Sequence, residues 1–439
     1  MSISAVPRTY LDHAATTPVR PEVAAQVAAD LSEGLGGWAN PAAQHASGRR
    51  VGAMLAQARA RLAAALDVDP HEVLFTSGGT EADALVVAGR ALAARAAGVS
   101  APRVVTSPLE HPAVLDSART AAGHLGAEHV EVGVDGAGLV DPASLRAAVT
   151  AGPGTALVSI MAANNETGVV QDMASLVETV REASGARRPA DSGYVPVHSD
   201  AVAALGKTPV DFRAWGLDAM TVTGHKLGTP IGIGAFVARR DLVLVTPTGG
   251  GRQERGVRSG SQDVVGARAL ALAVELAVAE RAEESGRLEA LRRRVLEGAT
   301  ALPGVHATLP EGSRSVAHVP STAHLWFEDG DTEALLMALD MAGIDVSAGS
   351  ACHAGVTQPS HVLLSMGFDE GPARATLRCS MGRGTSADDV ERLLAALPAA
   401  LESARRAWKA SRRVTHDPKK GNRNSQRQSA ASKRRVICR

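Results

Sequence analysis

The sequence has few cysteines, few aromatic residues and no long hydrophobic run. Its 439 residues include three cysteines, and aromatic residues make up 3% of the total. So few cysteines exclude a disulfide framework in so long a chain, and reduced thiols are typical of the cytoplasm. No apolar run reaches the roughly 18 residues of a transmembrane helix, and the first residues lack the pattern of a secretory signal. We therefore expect a cytoplasmic protein without a membrane partner.

Charge is unevenly distributed along the chain. Lys and Arg equal Asp and Glu in number, 46 of each, but residues 405–439 contain 13 Lys and Arg and one acid, Asp417. A polar, basic segment without apolar periodicity is typical of disorder, so we predict a disordered tail over residues 409–439. Docking or nucleic-acid binding is the alternative for this tail. The net acidic remainder of the chain argues against a nucleic-acid partner.

Strand-like and helix-periodic segments alternate along most of the chain. Strand candidates span residues 72–76, 103–108, 129–135, 156–164, 195–201, 218–226 and 231–239, and helical patterns span residues 22–34, 48–66, 141–151, 173–186, 262–301 and 385–408. The strand candidates are continuous apolar runs, as expected for a sheet covered by helices on both faces. We predict an α/β fold with a large domain of residues 16–265 and a smaller α/β domain of residues 1–15 and 266–408.

A stretch of small residues, SGGTEA at positions 77–82, follows the first strand candidate and opens a helix. The free N–H groups and the positive end of the helix dipole at such a junction favour an anion, and Thr80 adds a hydroxyl group. The stretch lacks the lysine of a Walker motif and the spacing of a dinucleotide-binding loop. Taken alone, the stretch is therefore either the plain start of a helix or a site for an anion.

Polar and charged residues lie at or just beyond the ends of four further strand candidates. They are His111, the run Asn164-Asn165-Glu166, Asp200, and the group Thr223, His225 and Lys226. Alone, His111 would be a capping residue and Lys226 a residue of a surface turn. Ligands of open α/β sheets, however, bind beyond the carboxyl ends of the strands. Pyridoxal phosphate needs N–H donors for its phosphate, a carboxylate for its pyridinium nitrogen and an amine for its aldehyde. The SGGTEA stretch, Asp200 and Lys226 supply these three groups.

The three cysteines have different surroundings. Cys352 lies in a run of Gly, Ser and Ala that cannot pack as a core strand, which suits a travelling nucleophile better than a structural cysteine. Cys379 lies within a strand-like run and is predicted to pack in the core. Cys438, near the end of the chain, is either a relay thiol or a chance cysteine.

Two basic segments offer contacts to anions. Residues 249–263 are basic and rich in glycine, which fits either an ordinary surface loop or a loop that brings Arg258 and Ser261 to an anionic group. Arg378 ends a short strand-like run. It either binds a carboxylate through two parallel hydrogen bonds or forms a surface ion pair.

Taken in order, ten motifs resemble the cysteine desulfurases of the NifS/IscS type. They are YLDHAATTPV (10–19), ANPAA (39–43), FTSGGTEAD (75–83), LEHPAVL (109–115), NNETGVVQD (164–172), HSDAV (198–202), TGHKLGTPIGIG (223–234), ERGVRSGS (254–261), SAGSACHAG (347–355) and LRCSMGR (377–383). The resemblance implies the fold-type I, class V aminotransferase architecture, with a mainly parallel seven-stranded sheet in the large domain, a smaller α/β domain and a homodimer. The SGSAC sequence and the long loop around it resemble the group I branch.

The resemblance also implies a reaction and its partners. A family member of this kind binds pyridoxal 5'-phosphate, converts L-cysteine to L-alanine and carries the sulfur as a persulfide on Cys352. It passes the sulfur to an acceptor or scaffold protein for iron–sulfur cluster assembly or thiolation. No metal site is implied.

Individual residues resemble the functional residues of the family. Lys226 resembles the lysine that bonds to the cofactor, His111 the histidine that stacks on its ring, and Asp200 the partner of its pyridine nitrogen. The residues that resemble the phosphate contacts are Gly79, Thr80, Thr223, Gly224 and His225, and Ser261 resembles a contact that reaches across from the second subunit. Asn165 resembles a residue that contacts both cofactor and substrate. Asn40 and Arg378 resemble residues that contact the substrate.

Two positions depart from the family pattern. Ala84 replaces an asparagine, and Ala203 replaces a glutamine that would bond the cofactor's phenolic oxygen. An insertion also lies at about residues 186–194. Selenocysteine lyase, another class V lyase or an aminotransferase are alternative functions, although they need no thiol at Cys352. A degenerate homologue that serves as a scaffold is the non-enzyme alternative, supported by the two alanines alone.

Overall fold

The computed structural model describes residues 8–33, 39–152, 154–309, 316–349, 352–353 and 356–415. Its strands are β1 (Thr9–Tyr10), β2 (Val73–Thr76), β3 (Arg103–Thr106), β4 (Glu128–Glu131), β5 (Thr155–Ser159), β6 (Val197–Asp200), β7 (Ala219–Thr223), β8 (Gly234–Ala238), β9 (Val305–Ala307), β10 (Thr322–Phe327), β11 (Ile344–Asp345), β12 (Cys352–His353), β13 (Val356–Thr357) and β14 (Thr376–Ser380).

The helices alternate with the strands through the first two thirds of the chain. They are α1 (Pro21–Ser32), α2 (Ala46–Ala65), α3 (Gly79–Ala96), α4 (Pro112–Leu125), α5 (Pro142–Thr150), α6 (Met173–Ser184), α7 (Val264–Thr300), α8 (Thr332–Met341), α9 (His361–Ser365), α10 (Glu370–Arg374) and α11 (Ala387–Thr415). Aspartates such as Asp141 and Asp263 accept backbone N–H groups and begin several of them. Within the described ranges, none of these helices is both long and apolar enough to cross a membrane.

A seven-stranded sheet forms the centre of the larger part of the chain. Its strand order is β2-β8-β7-β6-β5-β3-β4. The contacts among β3 to β7 are parallel, and β8 runs antiparallel to both of its neighbours. Every residue of β2, β5, β6, β7 and β8 is buried. The predicted mainly parallel seven-stranded sheet is therefore confirmed.

Apolar helix faces cover both sides of this sheet. One core cluster includes Leu62 of α2, Leu145 of α5 and Leu270 of α7, each fully buried. The other includes Val86 of α3 and Val114 of α4. Each fully buried side chain of this size contributes about 1.5–3 kcal/mol to folding. Helices on both faces leave the edge at the carboxyl ends of the parallel strands open for a ligand.

A smaller antiparallel sheet, β14-β10-β9, has a core cluster of its own. This cluster includes Leu325 and Phe327 of β10 and Leu11 near the amino end of the chain. Helix α7 contributes to both cores, because its first half buries Leu270 and its second half buries Val295. Its 37 residues span about 55 Å. The predicted domain boundaries at residues 15 and 265 stay predictions.

The prediction of a tail from residue 409 is wrong at its beginning. Helix α11 continues to Thr415, seven residues beyond the predicted end of the helix. Lys and Arg are good helix formers, and their positive charges are favourable at a helix carboxyl end. The guanidinium of Arg412 also lies 4.7 Å from the ring centre of Trp408 one turn earlier. Residues 416–439, with Cys438, lie outside the described part of the chain.

Candidate active site

A cavity of about 330 Å³ lies where the sheet strands end. Nine of the predicted site residues line it: Gly79, Thr80, His111, Asn165, Asp200, Thr223, His225, Lys226 and Arg378. Further walls come from Ala14, Ala15, Asp83, Met161, Val202 and Ala203. Segments from the whole length of the chain thus meet in one space.

Lys226 lies three residues beyond the end of β7, in a tight turn. The Leu227 N–H donates to the Gly224 carbonyl at 2.8 Å, and a Cβ atom on Gly224 would lie only 2.3 Å from Thr229 Oγ1. This turn directs the lysine side chain to the cavity. Burial lowers the pKa of Lys226, and the Arg378 cation lowers it further, while Asp200 opposes both. The neutral amine, which is the nucleophilic form, is therefore favoured.

The amino end of α3 forms the anion-binding end of the cavity. This 18-residue helix begins at Gly79, directly after Gly78, and no side chain caps it. Thr223 Oγ1 is buried nearby and has no hydrogen-bond partner within the described residues. A Cβ atom on Gly234 would lie 2.7 Å from Gly78 Cα, so only glycine lets β8 pack against this turn. Free N–H groups, the helix dipole and an unpartnered hydroxyl suit a phosphate.

His225 lies on the amino-terminal side of Lys226. Its Nδ1 forms a hydrogen bond with Thr16 Oγ1 at 3.2 Å. Burial lowers the pKa of His225, and the cations of Lys226 and Lys207 lower it further. The ring is therefore neutral at pH 7 and retains one N–H group.

Asp200 and His111 lie at the ends of different segments. Asp200 is the last residue of β6, is 4% exposed, and its Oδ1 accepts the Val202 N–H at 2.8 Å. His111 caps α4, and its Nδ1 accepts the Ala113 N–H at 3.1 Å. Burial is the main cause that lowers the pKa of His111. Because Nδ1 is an acceptor, the proton of the neutral ring lies on Nε2.

Arg378 is buried, so it does not form a surface ion pair. Its contact with a substrate carboxylate stays a prediction. Arg378 lies on β14, is 4% exposed, and donates to the Asn165 carbonyl and to Asp12 Oδ1, both at 2.9 Å. Its Nε is buried and has no partner in the described structure. Its two terminal nitrogens thus hold the side chain in place, and the Nε–H group remains for a ligand.

Four of the residues predicted to contact a ligand do not line this cavity in the single chain. Asn40 and Ser261 are exposed and do not line the cavity, so their contacts stay predictions. The Gly224 N–H donates to the Ile233 carbonyl at 3.1 Å and is already used. Arg258 donates to Glu81 on α3 at 2.7 Å, so its positive charge is paired with a carboxylate of the protein.

The cysteines are described to different extents. Cys352 lies on β12, which pairs with β13, but its side chain lies outside the described residues. The chain that leads to it passes Ser347, whose backbone pairs with that of Arg378. Cys379 is fully buried, and burial raises the pKa of its thiol to about 12. Its predicted role in core packing is confirmed.

Sequence reasoning missed three charged residues at the site. Asp12 binds Arg378, Asp83 lines the cavity, and Lys207 lines a second cavity of about 360 Å³ that shares Lys226 with the first. Burial lowers the pKa of Lys207 to about 7, with further lowering by Lys226 and Arg378. A charge among small apolar residues, as in AALGK (203–207) and EADALVV (81–87), is the signal that could have identified two of them.

Comparison with known proteins defines the family. A sequence profile of the family described as Aminotransferase class-V matches residues 9–393, so the chain belongs to that family. The "IscS-like cysteine desulfurase" of Mycobacterium tuberculosis is 42% identical over 398 residues, which are 91% of this chain and 97% of the relative. The "Cysteine desulfurase IscS" of Methanosarcina thermophila is 34% identical over 396 residues, 90% of this chain and 92% of the relative. Within the class-V family, the chain belongs to the cysteine desulfurases.

Solved structures agree with the fold. A NifS-like protein superposes with a TM-score of 0.79 and 29% identity, over 90% of this chain and all of that protein's chain. The predicted resemblance to the NifS/IscS type is therefore confirmed. The assignment to the group I branch stays a prediction.

Proposed function

We propose that this protein is a pyridoxal-phosphate-dependent cysteine desulfurase that converts L-cysteine to L-alanine and transfers the sulfur to Cys352. One observation carries the proposal: Lys226, with a lowered pKa, shares a cavity with Asp200 and with the uncapped start of α3. Its membership of the cysteine desulfurase family supports the choice of reaction.

The cavity residues fit pyridoxal phosphate group by group. The first N–H groups of α3 and the unpartnered Thr223 hydroxyl suit the phosphate. The Asp200 carboxylate suits the pyridinium nitrogen, and the neutral Lys226 amine suits the aldehyde. His111, half-buried in the same cavity, offers an aromatic face for the ring. When bound, the cofactor supplies an aldehyde that bonds to amines and a ring that withdraws electrons from the substrate's Cα.

The protein's own residues then bind the substrate and move its protons. Arg378 Nε donates to the substrate carboxylate, while Asn165 and Asp12 keep the guanidinium in place. The Lys226 amine, favoured in its neutral form, accepts the proton from Cα. His111 holds a proton on Nε2.

Cys352 takes the sulfur in a balanced exchange. Its thiolate attacks the substrate sulfur, the new S–S bond forms, and the Cβ–S bond of the substrate breaks. The electron pair of that bond stays with the carbon, which gains a proton and completes alanine. Cys352 is left as a persulfide, whose outer sulfur passes to a thiol of an acceptor or scaffold protein.

We also propose that two copies form the functional unit. Ser261 is exposed and outside the cavity of its own chain, as expected for a residue that completes the phosphate site of a second copy. Iron–sulfur cluster assembly or thiolation is the proposed destination of the sulfur.

The test separates cofactor binding from sulfur transfer. The purified protein should be yellow, K226A should lose this colour, and C352S should keep it but release no sulfide from L-cysteine. C438S is the matched control and should release sulfide like the wild type. A colourless protein that pyridoxal phosphate cannot reconstitute would refute the proposal, and sulfide release by C352S at the wild-type rate would refute the role of Cys352.

A further inference from the structure

Asp83 is a buried carboxyl group that the proposed reaction leaves unused. It lies on α3, one helical turn after Gly79, and is 1% exposed. It lines the cavity together with Asp200. We infer that Asp83 is a positioning residue for the cofactor ring: a carboxyl group that stays uncharged in the folded protein and leaves Asp200 as the single anion for the pyridine nitrogen. This inference rests on the proposed function.

The surroundings of Asp83 offer little to stabilise a negative charge. Its Oδ1 has no hydrogen-bond partner within the described residues. Among the described contacts, no arginine or lysine forms an ion pair with the carboxyl group; the nearest cationic candidate is His198. An ionised carboxylate buried in this way loses its hydration without compensation, whereas the neutral acid loses far less.

His198 is close enough to be a cationic partner but is neutral. Its Nε2 lies 3.7 Å from Asp83 Oδ1. Its Nδ1 forms a hydrogen bond with Ser159 Oγ at 2.8 Å, and Nε2 forms one with Thr221 Oγ1 at 3.0 Å. Burial lowers the pKa of His198 to about 3, so at neutral pH the ring carries no charge to pair with Asp83.

The charged groups that face Asp83 come from three other segments. They are Asp200 at the end of β6, Glu110 in the turn before α4, and Lys226 after β7. Burial is the first cause that raises the pKa of Asp83, and the like charges of Asp200 and Glu110 add to it, whereas Thr221 and Lys226 oppose it. Glu110 is itself buried, which raises its pKa to about 8. One ionised carboxylate in this part of the cavity is therefore more favourable than two.

A single anion matches the charge of the ligand. A pyridinium ring carries one positive charge at its nitrogen, and Asp200 alone can balance it. A second carboxylate beside Asp200 would be unpaired and would compete for the same proton. An uncharged Asp83 instead lies in the same cavity as Asp200 without adding a second negative charge.

Cofactor affinity tests the positioning role. Cofactor-free D83N, D83A, D200N and wild-type protein are titrated with pyridoxal phosphate, and the dissociation constant is read from absorbance. D83N should stay within about threefold of the wild type because an amide replaces a neutral acid. D83A should weaken binding about tenfold or more, and D200N about 30-fold or more. The inference is overturned if D83A also stays within threefold, or if D83N is as weak as D200N.

The charge state is tested separately by pH. In the unfolded chain, Asp83 ionises near its ordinary pKa of 3.8, so a folded state that keeps the proton loses stability as pH rises above that value. The melting temperature of the D83N holoenzyme minus that of the wild-type holoenzyme should therefore be larger at pH 8 than at pH 5. A difference that is the same at both pH values would show that Asp83 is already ionised and would overturn the inference.

The two proposals fail in different ways. If wild-type protein binds no pyridoxal phosphate, the proposed function fails whatever the melting temperatures show. If the wild type binds the cofactor and releases sulfide, but D83N behaves like D200N, the inference about Asp83 alone fails.

Discussion

Ala203 forms part of the cavity wall at the position where the family pattern has glutamine. It is 7% exposed and lines the same space as Asp200 and Lys226. An alanine methyl group cannot donate a hydrogen bond, so the phenolic oxygen of the proposed cofactor loses one partner there. Asn165 and His111, which also line this cavity, match the family pattern.

Restoring the amide at this position should strengthen cofactor binding. A single neutral hydrogen bond contributes about 0.5–1.5 kcal/mol, so A203Q should lower the dissociation constant of pyridoxal phosphate by about twofold to tenfold. Absorbance titration of the cofactor-free protein measures it. A203M, similar in size but without a donor, is the control. Equal tightening by A203M would show that packing is responsible, not the hydrogen bond.

Arg378 should act on the substrate and not on the cofactor. R378K keeps the charge but loses the planar fork and the Nε donor. Charge-assisted hydrogen bonds contribute about 1.5–3 kcal/mol, so we expect the KM for L-cysteine to rise about 10-fold to 100-fold while the colour of the bound cofactor is retained. R383K, a change at an exposed residue beyond the same strand, should leave KM within about twofold. An unchanged KM in R378K would contradict the proposed carboxylate contact.

At the scale of elements, β10 contains a histidine that makes the small sheet sensitive to acid. His324 is 4% exposed, and its Nδ1 forms a hydrogen bond with Thr308 Oγ1 at 2.7 Å. Burial lowers the pKa of His324 to about 3, and the Arg378 cation adds to the effect. The unfolded chain binds a proton near the ordinary value of 6.5. Acid therefore favours unfolding, and stability falls as pH drops below 6.5.

The variant H324Q should remove this dependence. Each pH unit below 6.5 costs the wild type about 1.4 kcal/mol through this group. The free energy of unfolding of H324Q relative to the wild type should therefore improve by about 2 kcal/mol between pH 7 and pH 5. Urea denaturation at the two pH values measures it. A relative stability that does not change with pH would show that His324 is protonated as easily in the folded protein as in the unfolded chain.

The strand-end positions of the site could be predicted from sequence, but not all of its side-chain partners. Apolar runs that end in a polar residue predicted Asp200 and Lys226 correctly as neighbours, because parallel strands bring their carboxyl ends to one edge. The runs overestimated strand length: the segment 218–226 ends as β7 at Thr223. The small apolar residues around Asp83 could mark it as a candidate, but only the packing of α3 shows that it shares a cavity with Asp200.

Contacts between side chains far apart in the sequence could also not be predicted. Arg378 was expected either to bind a carboxylate through two parallel hydrogen bonds or to form a surface ion pair. Its contact with Asp12 depends on how β14 lies beside the amino end of the chain. The extension of α11 to Thr415 was missed because a high density of positive charge resembles a disordered tail.

At the scale of the whole molecule, two exposed apolar side chains are candidates for the interface of the proposed homodimer. Ile231 is 82% exposed and Val243 is 62% exposed, and both lie close in sequence to β8. Large apolar side chains on a surface often mark an interface.

We expect I231D to weaken the proposed homodimer. A charge buried in an apolar interface is unfavourable, so the variant should sediment as a monomer at concentrations where the wild type is a dimer, and it should bind pyridoxal phosphate more weakly because Ser261 of the second copy is lost. M337D, at a 66% exposed residue of α8, is the control and should remain dimeric. A dimer of I231D as stable as that of the wild type would exclude this surface.

The pair Asp12–Arg378 also has a consequence for synthesis on the ribosome. Its two residues are 366 positions apart in the sequence, and Asn165, the other partner of the guanidinium, lies between them. At translation rates of about 5–20 residues per second, roughly 20–70 s pass between the emergence of Asp12 and that of Arg378. A nascent chain can therefore fold its large sheet and its lysine turn long before it can hold an amino acid. Chains that end before Arg378 would lack the proposed contact to the substrate carboxylate, whatever part of the large sheet they have already folded.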